Sequence, residues 1–378
     1  MREEFDEIRP YEAGEMKQAF YDLLNDRQFQ MILKGFAPWL PKSVRNGLLR
    51  LAFTGIKTPL DFQKRFMKPV VKFIMRKHTD GCSFLDSSIA SYDKSQRYTF
   101  VSNHRDIVLD SAFLDVLLVE AGYPTTVEIG IGDNLLIYPW IKRLVRMNKA
   151  FTVRRGLSLR ETLAASQLMS RYIHYAVTQK KENIWIAQRE GRAKDSDDRT
   201  QPSILKMMAM GGEGSVVERL KQLHIVPLSI SYEYDPCDFL KAREFQLKRD
   251  VEGWRKTKQD DVESMRTGIM GYKGEVHYHC APCIDEWLDT LPEDLPKGEL
   301  FDVIAAHIDS EIHRHYRIYA SNRVAAGAES TAEERAAFGQ YLDQQLGKIR
   351  LENADENFLR ERLVEMYANP YRNHIAAL

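Results

Sequence analysis

The run Asn103-His104-Arg105-Asp106-Ile107-Val108-Leu109-Asp110 concentrates side chains suited to proton transfer. A histidine oriented by a carboxylate can deprotonate a hydroxyl, and this run offers two carboxylates, Asp106 and Asp110. They stand four apart, so on a helix they share one face. His104 follows an apolar run at 98–102 and precedes a helical pattern from Ile107, the point at which open α/β sheets place their ligands. A plainer reading stays open beside this one: Asp106 as a helix N-cap and His104 as a satisfied core residue.

Three further apolar runs end in suggestive residues. Ala150-Phe151-Thr152-Val153 leads into Arg154-Arg155-Gly156, and Ile184-Trp185-Ile186-Ala187-Gln188 leads into Arg189-Glu190-Gly191-Arg192. The third, Leu223-His224-Ile225, leads into Val226-Pro227-Leu228. Guanidinium groups gathered at one sheet edge suit a phosphate or other anion, because the planar fork binds such oxygens bidentately. Singly, each arginine reads as surface charge.

The elements that position these residues follow from periodicity. Strands are expected at 98–102, 125–129, 150–154, 184–188, 224–232 and 275–280, with helices at 106–120, 135–147, 158–179 and 202–221 between them. Strands alternating with helices predict an α/β domain with a largely parallel sheet flanked by helices. After Pro282 the pattern is helical, with Phe301, Ile304, Ile308, Ile312 and Tyr316 on one face. The expected division is a basic helical segment over 1–80, an α/β domain over 81–290 and an acidic helical extension over 291–378, to which the sequence assigns no chemistry.

Charge is distributed unevenly. The 378 residues are neutral overall, so the global balance implies no nucleic acid partner. Residues 27–78, however, hold twelve Lys and Arg against Asp61 alone, a net of +11, while residues 284–378 carry eighteen acids and ten bases. Trp39, Leu40, Leu48, Leu49 and Leu51 are interleaved with the basic residues. Such a segment either docks on an anionic bilayer or packs its apolar stripe on the core. Pro69 is expected to kink or divide the helix of Phe62, Phe66, Val70 and Phe73.

Four cysteines exclude a disulfide framework in a chain this size. The N-terminus shows no basic-then-apolar leader, and no run of about 18 apolar residues predicts a membrane span. A cytoplasmic protein, peripheral on the inner face of the cell membrane, is expected. The run His277-Tyr278-His279-Cys280-Ala281-Pro282-Cys283 contains four potential zinc ligands, but strand alternation splits them between faces and no second Cys-X-X-Cys pair occurs. It reads as a strand end and turn, and no metal is expected. Gly130-Ile131-Gly132 lacks the third glycine of a dinucleotide loop, and Lys194-Asp195-Ser196-Asp197-Asp198 reads as a solvated loop.

The order His/Asp, Phe-Arg, Glu-Gly, Pro resembles the four blocks of the glycerophosphate and lysophosphatidate acyltransferase family. They stand here as Asn103 to Asp110, Phe151-Thr152-Val153-Arg154-Arg155, Glu190-Gly191-Arg192 and Val226-Pro227-Leu228. The resemblance covers about residues 97–232 and departs in three places. The family's His-to-Asp spacing falls on Leu109, so a one-residue bulge is needed to return Asp110 to His104. Asn148-Lys149 replace the glycine that usually opens the second block, and Gln188-Arg189 precede Glu190.

The resemblance implies an acyltransferase-type α/β fold, with His104 as general base and Asp110 holding its tautomer. Asn103, Arg105, Arg154, Arg155, Glu190, Gly191 and Arg192 are the implied substrate-binding residues, and Pro227 is structural. No bound cofactor is implied; acyl-CoA or acyl-ACP (acyl carrier protein) is the co-substrate. A lysophosphatidate- or glycerol-3-phosphate-like lysolipid acceptor is implied, with a membrane lipid surface as partner. An amino-acid-based lysolipid is an alternative acceptor. A non-catalytic lipid-surface binding module and a thioester hydrolase are alternatives of other classes.

Overall fold

A computed structural model describes residues 3–84, 88–89, 92–292, 295–296 and 298–378, with only the backbone of Phe36. Among the described residues, four helices of ten or more residues precede the first strand: α1 (Met16–Asn25), α2 (Arg27–Phe36), α3 (Lys42–Ala52) and α4 (Lys68–His78). Seven strands follow: β1 (Gly81–Phe84), β2 (Thr99–Ser102), β3 (Val127–Gly132), β4 (Ala150–Val153), β5 (Asn183–Ala187), β6 (Ile225–Tyr232) and β7 (Glu275–Cys280). They form one sheet in the order β1-β7-β6-β2-β5-β3-β4. Neighbours are parallel except β6 and β7, which are antiparallel.

The central strands β2 and β6 are buried along their whole length, which is why they read as continuous apolar runs rather than alternating ones. Both sheet faces are covered. On one, Val101, Ile184, Ile186 and Ile225 pack with α7 (Leu159–Tyr175) and α8 (Pro202–Met208). On the other, Phe100, Trp185, Val226 and Leu228 pack with α5 (Leu109–Glu120). The edge near β4 carries α6 (Pro139–Met147), which joins a smaller cluster with α1, Phe53 and Phe62.

Several elements differ from expectation. α5 starts at Leu109, not Asp106. The expected helix over 202–221 divides into α8 and α9 (Val216–Lys221), because Gly212 and Gly214 adopt positive φ between them. Two helices between β6 and β7, α10 (Asp238–Asp250) and α11 (Lys258–Met270), had no counterpart in the sequence reading, nor did the edge strand β1. Pro69 is the second residue of α4, after a π-helical segment at Phe62–Met67. A proline is tolerated in a first helical turn, so the stretch is divided there rather than broken.

After the short helix α12 (Asp285–Leu288), the C-terminal region comprises α13 (Leu300–Arg314), α14 (Ala320–Ala325), α15 (Ala332–Leu346) and α16 (Glu356–Ala377). Ile304, Ile308 and Ile312 of α13 belong to the same buried cluster as Val101 and Ile225. This region therefore completes the core of the α/β sheet. Among the described residues no helix is long and apolar enough to cross a membrane.

Candidate active site

β2 ends at Ser102, and the chain turns through residues 103–108 before α5 begins. Asp110 lies in the first turn of α5, fully buried. Its Oδ2 accepts the backbone N–H of Arg105 at 2.7 Å and of Asp106 at 3.1 Å, and faces His104 Nδ1 at 2.8 Å. The turn thus absorbs the extra residue in the His-to-Asp spacing. A carboxylate facing Nδ1 selects the tautomer protonated there and leaves Nε2 as the basic nitrogen. Tyr278 fixes the same turn from β7, its hydroxyl donating to the Asp110 carbonyl at 2.8 Å. The Trp185 ring meets His104 edge-on with centroids 5.5 Å apart, and its Nε1 donates to Ser102 Oγ at 3.0 Å.

Asp106 has the other role. Its Oδ1 accepts from the N–H groups of Val108 and Leu109, both at 2.8 Å, and so fixes the turn that leads into α5. Burial, then the neighbouring Asp110 carboxylate, push its pKa above the ordinary carboxylate range. Helix α11 crosses so close that a methyl group at Gly268 would collide with the Asp106 carboxylate.

His104 opens onto a cleft of about 730 Å³. The carboxyl ends of β3 and β5 form one wall, with Trp185, Arg155 and residues 189–192. The opposite wall comes from α10, α11 and their connection, including Leu240, Arg243, Trp254 and Lys256. Gly191 adopts φ +71° in the turn after β5, which lets Arg189, Glu190 and Arg192 all line the cleft. Arg155 pairs with Glu190 at 3.1 Å. Burial opposes the charge on Arg192, but Cys237, Asp235 and Asp106 offset it and raise its pKa. Arg192 Nη1 and Arg189 Nε are buried donors with no protein partner among the described residues. Such donors cost roughly 1–3 kcal/mol each unless something satisfies them, and an anion in the cleft would do so.

The structure brings His104, Asp110, Arg155, Glu190, Gly191 and Arg192 together. It separates the other three expected binding residues from the cleft. Asn103 is fully buried and exchanges two hydrogen bonds with the Ile230 backbone, each 2.8 Å, tying the turn to β6. Arg105 is buried, paired with Asp198 at 2.7 Å and set over the Tyr316 ring. Arg154 sits one position before Arg155, so strand alternation sends it to the other side, where it is half-exposed near Glu7. The 194–198 run is likewise no free loop. Asp198 is clamped by Arg105 and by Tyr316 of the C-terminal region at 2.5 Å, and Asn369 of α16 donates to the Asp195 carbonyl at 2.9 Å.

Two parts of the site were missed. Arg189 had been read at the end of the 184–188 run and as a departure in the third block but not among the substrate-binding residues, and α10 and α11 gave no apolar stripe to find.

Residues 87–231 match the family model described as Acyltransferase. The match covers less than half of the chain. All four sequence blocks fall inside the matched residues, whereas α1 to α4 and the cleft wall of α10 and α11 lie outside them. No curated protein matches the chain at a significant level. Among solved structures it is similar to the 1-acyl-sn-glycerophosphate (LPA) acyltransferase PlsC from Thermotoga maritima. The identity is 11% and the TM-score 0.36, with 70% of this chain and 86% of that chain covered.

Proposed function

We propose that this protein is an acyltransferase that moves a fatty acyl group from an acyl-CoA or acyl-ACP thioester to the hydroxyl of a lysophosphatidate- or glycerol-3-phosphate-like acceptor at a membrane surface. The observation carrying this reading is the His104–Asp110 pair, with Nδ1 held and the ring lining an arginine-bearing cleft. His104 Nε2 takes the proton of the acceptor hydroxyl as its oxygen attacks the thioester carbonyl. The tetrahedral intermediate then collapses, the C–S bond breaks, and the proton passes from the imidazolium to the departing thiolate. Asp110 stabilises the imidazolium between those steps. No bound cofactor is required.

Arg155, Arg189 and Arg192 hold the anionic group of the acceptor. Contact with lipid is assigned to α2, α3 and the turn between them, where Trp39 is 76% exposed and Leu51 71% exposed amid basic residues. A binding module has no need for a histidine held by a buried carboxylate, and a hydrolase has no need for the arginines.

The test is incubation of the purified protein with labelled acyl-CoA or acyl-ACP and a panel of hydroxyl acceptors, alongside three variants. Acceptor-dependent transfer is expected, falling on the order of 10²–10⁴-fold in His104→Ala. Asp110→Asn should cripple turnover, while Asp106→Asn should leave turnover largely in place and act mainly on the helix start, where asparagine is nearly as favourable as aspartate. The reverse ranking of the two aspartates would overturn the assignment. Thioester loss without an acylated product would identify a hydrolase, and vesicle binding without turnover a binding module.

A further inference from the structure

His104 lies beyond the carboxyl end of β2. At the opposite end of the same sheet a second cluster forms, and the register of β6 and β7 creates it. His224 immediately precedes β6, and Cys283 and Asp285 flank Ile284 just after β7. The Ile284 N–H donates to the Ile225 carbonyl at 3.0 Å, extending the antiparallel pairing. That bond sets His224 against both Cys283 and Asp285. One ligand atom from each of the three lies within 4.8 Å of the other two, and all three residues are partly exposed.

Two further features mark this cluster. His224 adopts φ +46°, a left-handed backbone that costs a non-glycine residue on the order of 1–3 kcal/mol. Asp285 Oδ2 faces His224 Nδ1 at 2.5 Å, but its Oδ1 is buried with no partner among the described residues. The His224 backbone follows the end of α9, its N–H donating to the Lys221 carbonyl at 3.1 Å, where a left-handed residue commonly ends a helix; the His–Asp pair leaves the second Asp285 oxygen unaccounted for.

We propose that His224, Cys283 and Asp285 bind a zinc ion at the end of the sheet remote from the His104 cleft. Imidazole, thiolate and carboxylate are the three side-chain ligand types of zinc, whereas magnesium and calcium take oxygen alone. Three protein ligands leave the fourth tetrahedral position to water. The ion fastens the turn before β6 to the start of α12, cross-linking residues distant in sequence. The zinc-like run at 277–283 contributes Cys283 alone. His277 instead contacts Ser83 Oγ at 3.2 Å, His279 stacks on His315 at 4.0 Å, and Cys280 is buried in the core.

The inference is independent of the acyl-transfer reading and is tested without assaying that reaction. Full-length protein stripped with a chelator is titrated with cobalt(II) and then with zinc. One equivalent of cobalt should bind with a near-ultraviolet thiolate charge-transfer band that zinc abolishes, and zinc should raise the melting temperature of the stripped protein. Cys283→Ser should remove the band. His224→Gln and Asp285→Asn should each weaken binding at least tenfold, and Cys82→Ser should leave it unchanged. Should Cys283→Ser fail to fold, the His224 and Asp285 variants decide. Absence of a thiolate band, its retention in Cys283→Ser, or unchanged affinity in both His224→Gln and Asp285→Asn would overturn the assignment.

Discussion

The two helical flanks of the sheet carry the same kind of sequence pattern and meet different fates. In the C-terminal region, Ile304, Ile308 and Ile312 of α13 are completely buried against the central strands. In the N-terminal region, α3 buries no residue, and Val44, Leu48 and Leu51 are 44%, 54% and 71% exposed. An amphipathic period states that an apolar face needs a partner but not where the partner is. The acidic flank finds its partner inside the chain. The basic flank displays its apolar side chains beside Lys34, Lys42 and Arg50, a combination that fits an anionic lipid surface.

That contrast can be broken most sharply by truncating the buried side. Ile308→Ala should cost roughly 2–5 kcal/mol in urea denaturation, whereas Leu51→Ala should stay within about 0.5 kcal/mol. Equal losses would mean that α3 is packed after all. The next largest effect concerns lipid. Replacing Trp39, Leu48 and Leu51 together with serine should weaken binding to anionic phospholipid vesicles at least tenfold while leaving the melting temperature in place. Unchanged vesicle binding would assign the exposed face to another partner.

The smallest effect is on pH dependence. His277 and His279, between the sheet and the C-terminal region, are pushed down from an ordinary 6.5 to about 4. Burial leads in both, followed by Arg317 for His277 and by His315 for His279. Each is neutral when folded and binds a proton more readily when unfolded. Their stabilisation is thus complete above pH 6.5 and drains away as pH falls toward 4. Between pH 7 and 5 the loss should be about 1 kcal/mol per histidine after allowing for partial exposure. Since α2 and α3 contain no histidine, vesicle binding should hold level over the same range. A folding stability that does not fall would refute the buried-neutral assignment.

What the sequence disclosed, and what it hid, follows from which interactions are local. The burial of the central runs was legible because a two-sided sheet demands unbroken apolar stretches, and the strand over 275–280 because Val276, Tyr278 and Cys280 alternate with polar residues. So was the return of Asp110 to His104, since a turn of six residues determines it. Arg154 and Arg155 were indistinguishable, because the choice between them depends on which face of β4 meets the cleft. Helices α10 and α11 were hidden because α10 buries Lys241, Glu244 and Gln246 rather than an apolar stripe. The glycine missing from the second block proved tolerable for a non-local reason. Lys149 takes the left-handed φ of +61° in its place, held by Glu182 at 2.8 Å and Thr125 at 3.0 Å.

The antiparallel return of β7 beside β6 has an evolutionary consequence. Tyr232 pairs with Val276, so residues 233–274 leave the sheet and rejoin it at neighbouring points on its catalytic edge. A segment anchored this way behaves as a cassette: lengthening it costs little closure entropy and alters no strand register. One wall of the cleft is made from that cassette and the other from the sheet that carries His104. Selection can therefore redraw that wall of the cleft by exchange or indel within 233–274, while the turn that pairs His104 with Asp110 is inherited intact.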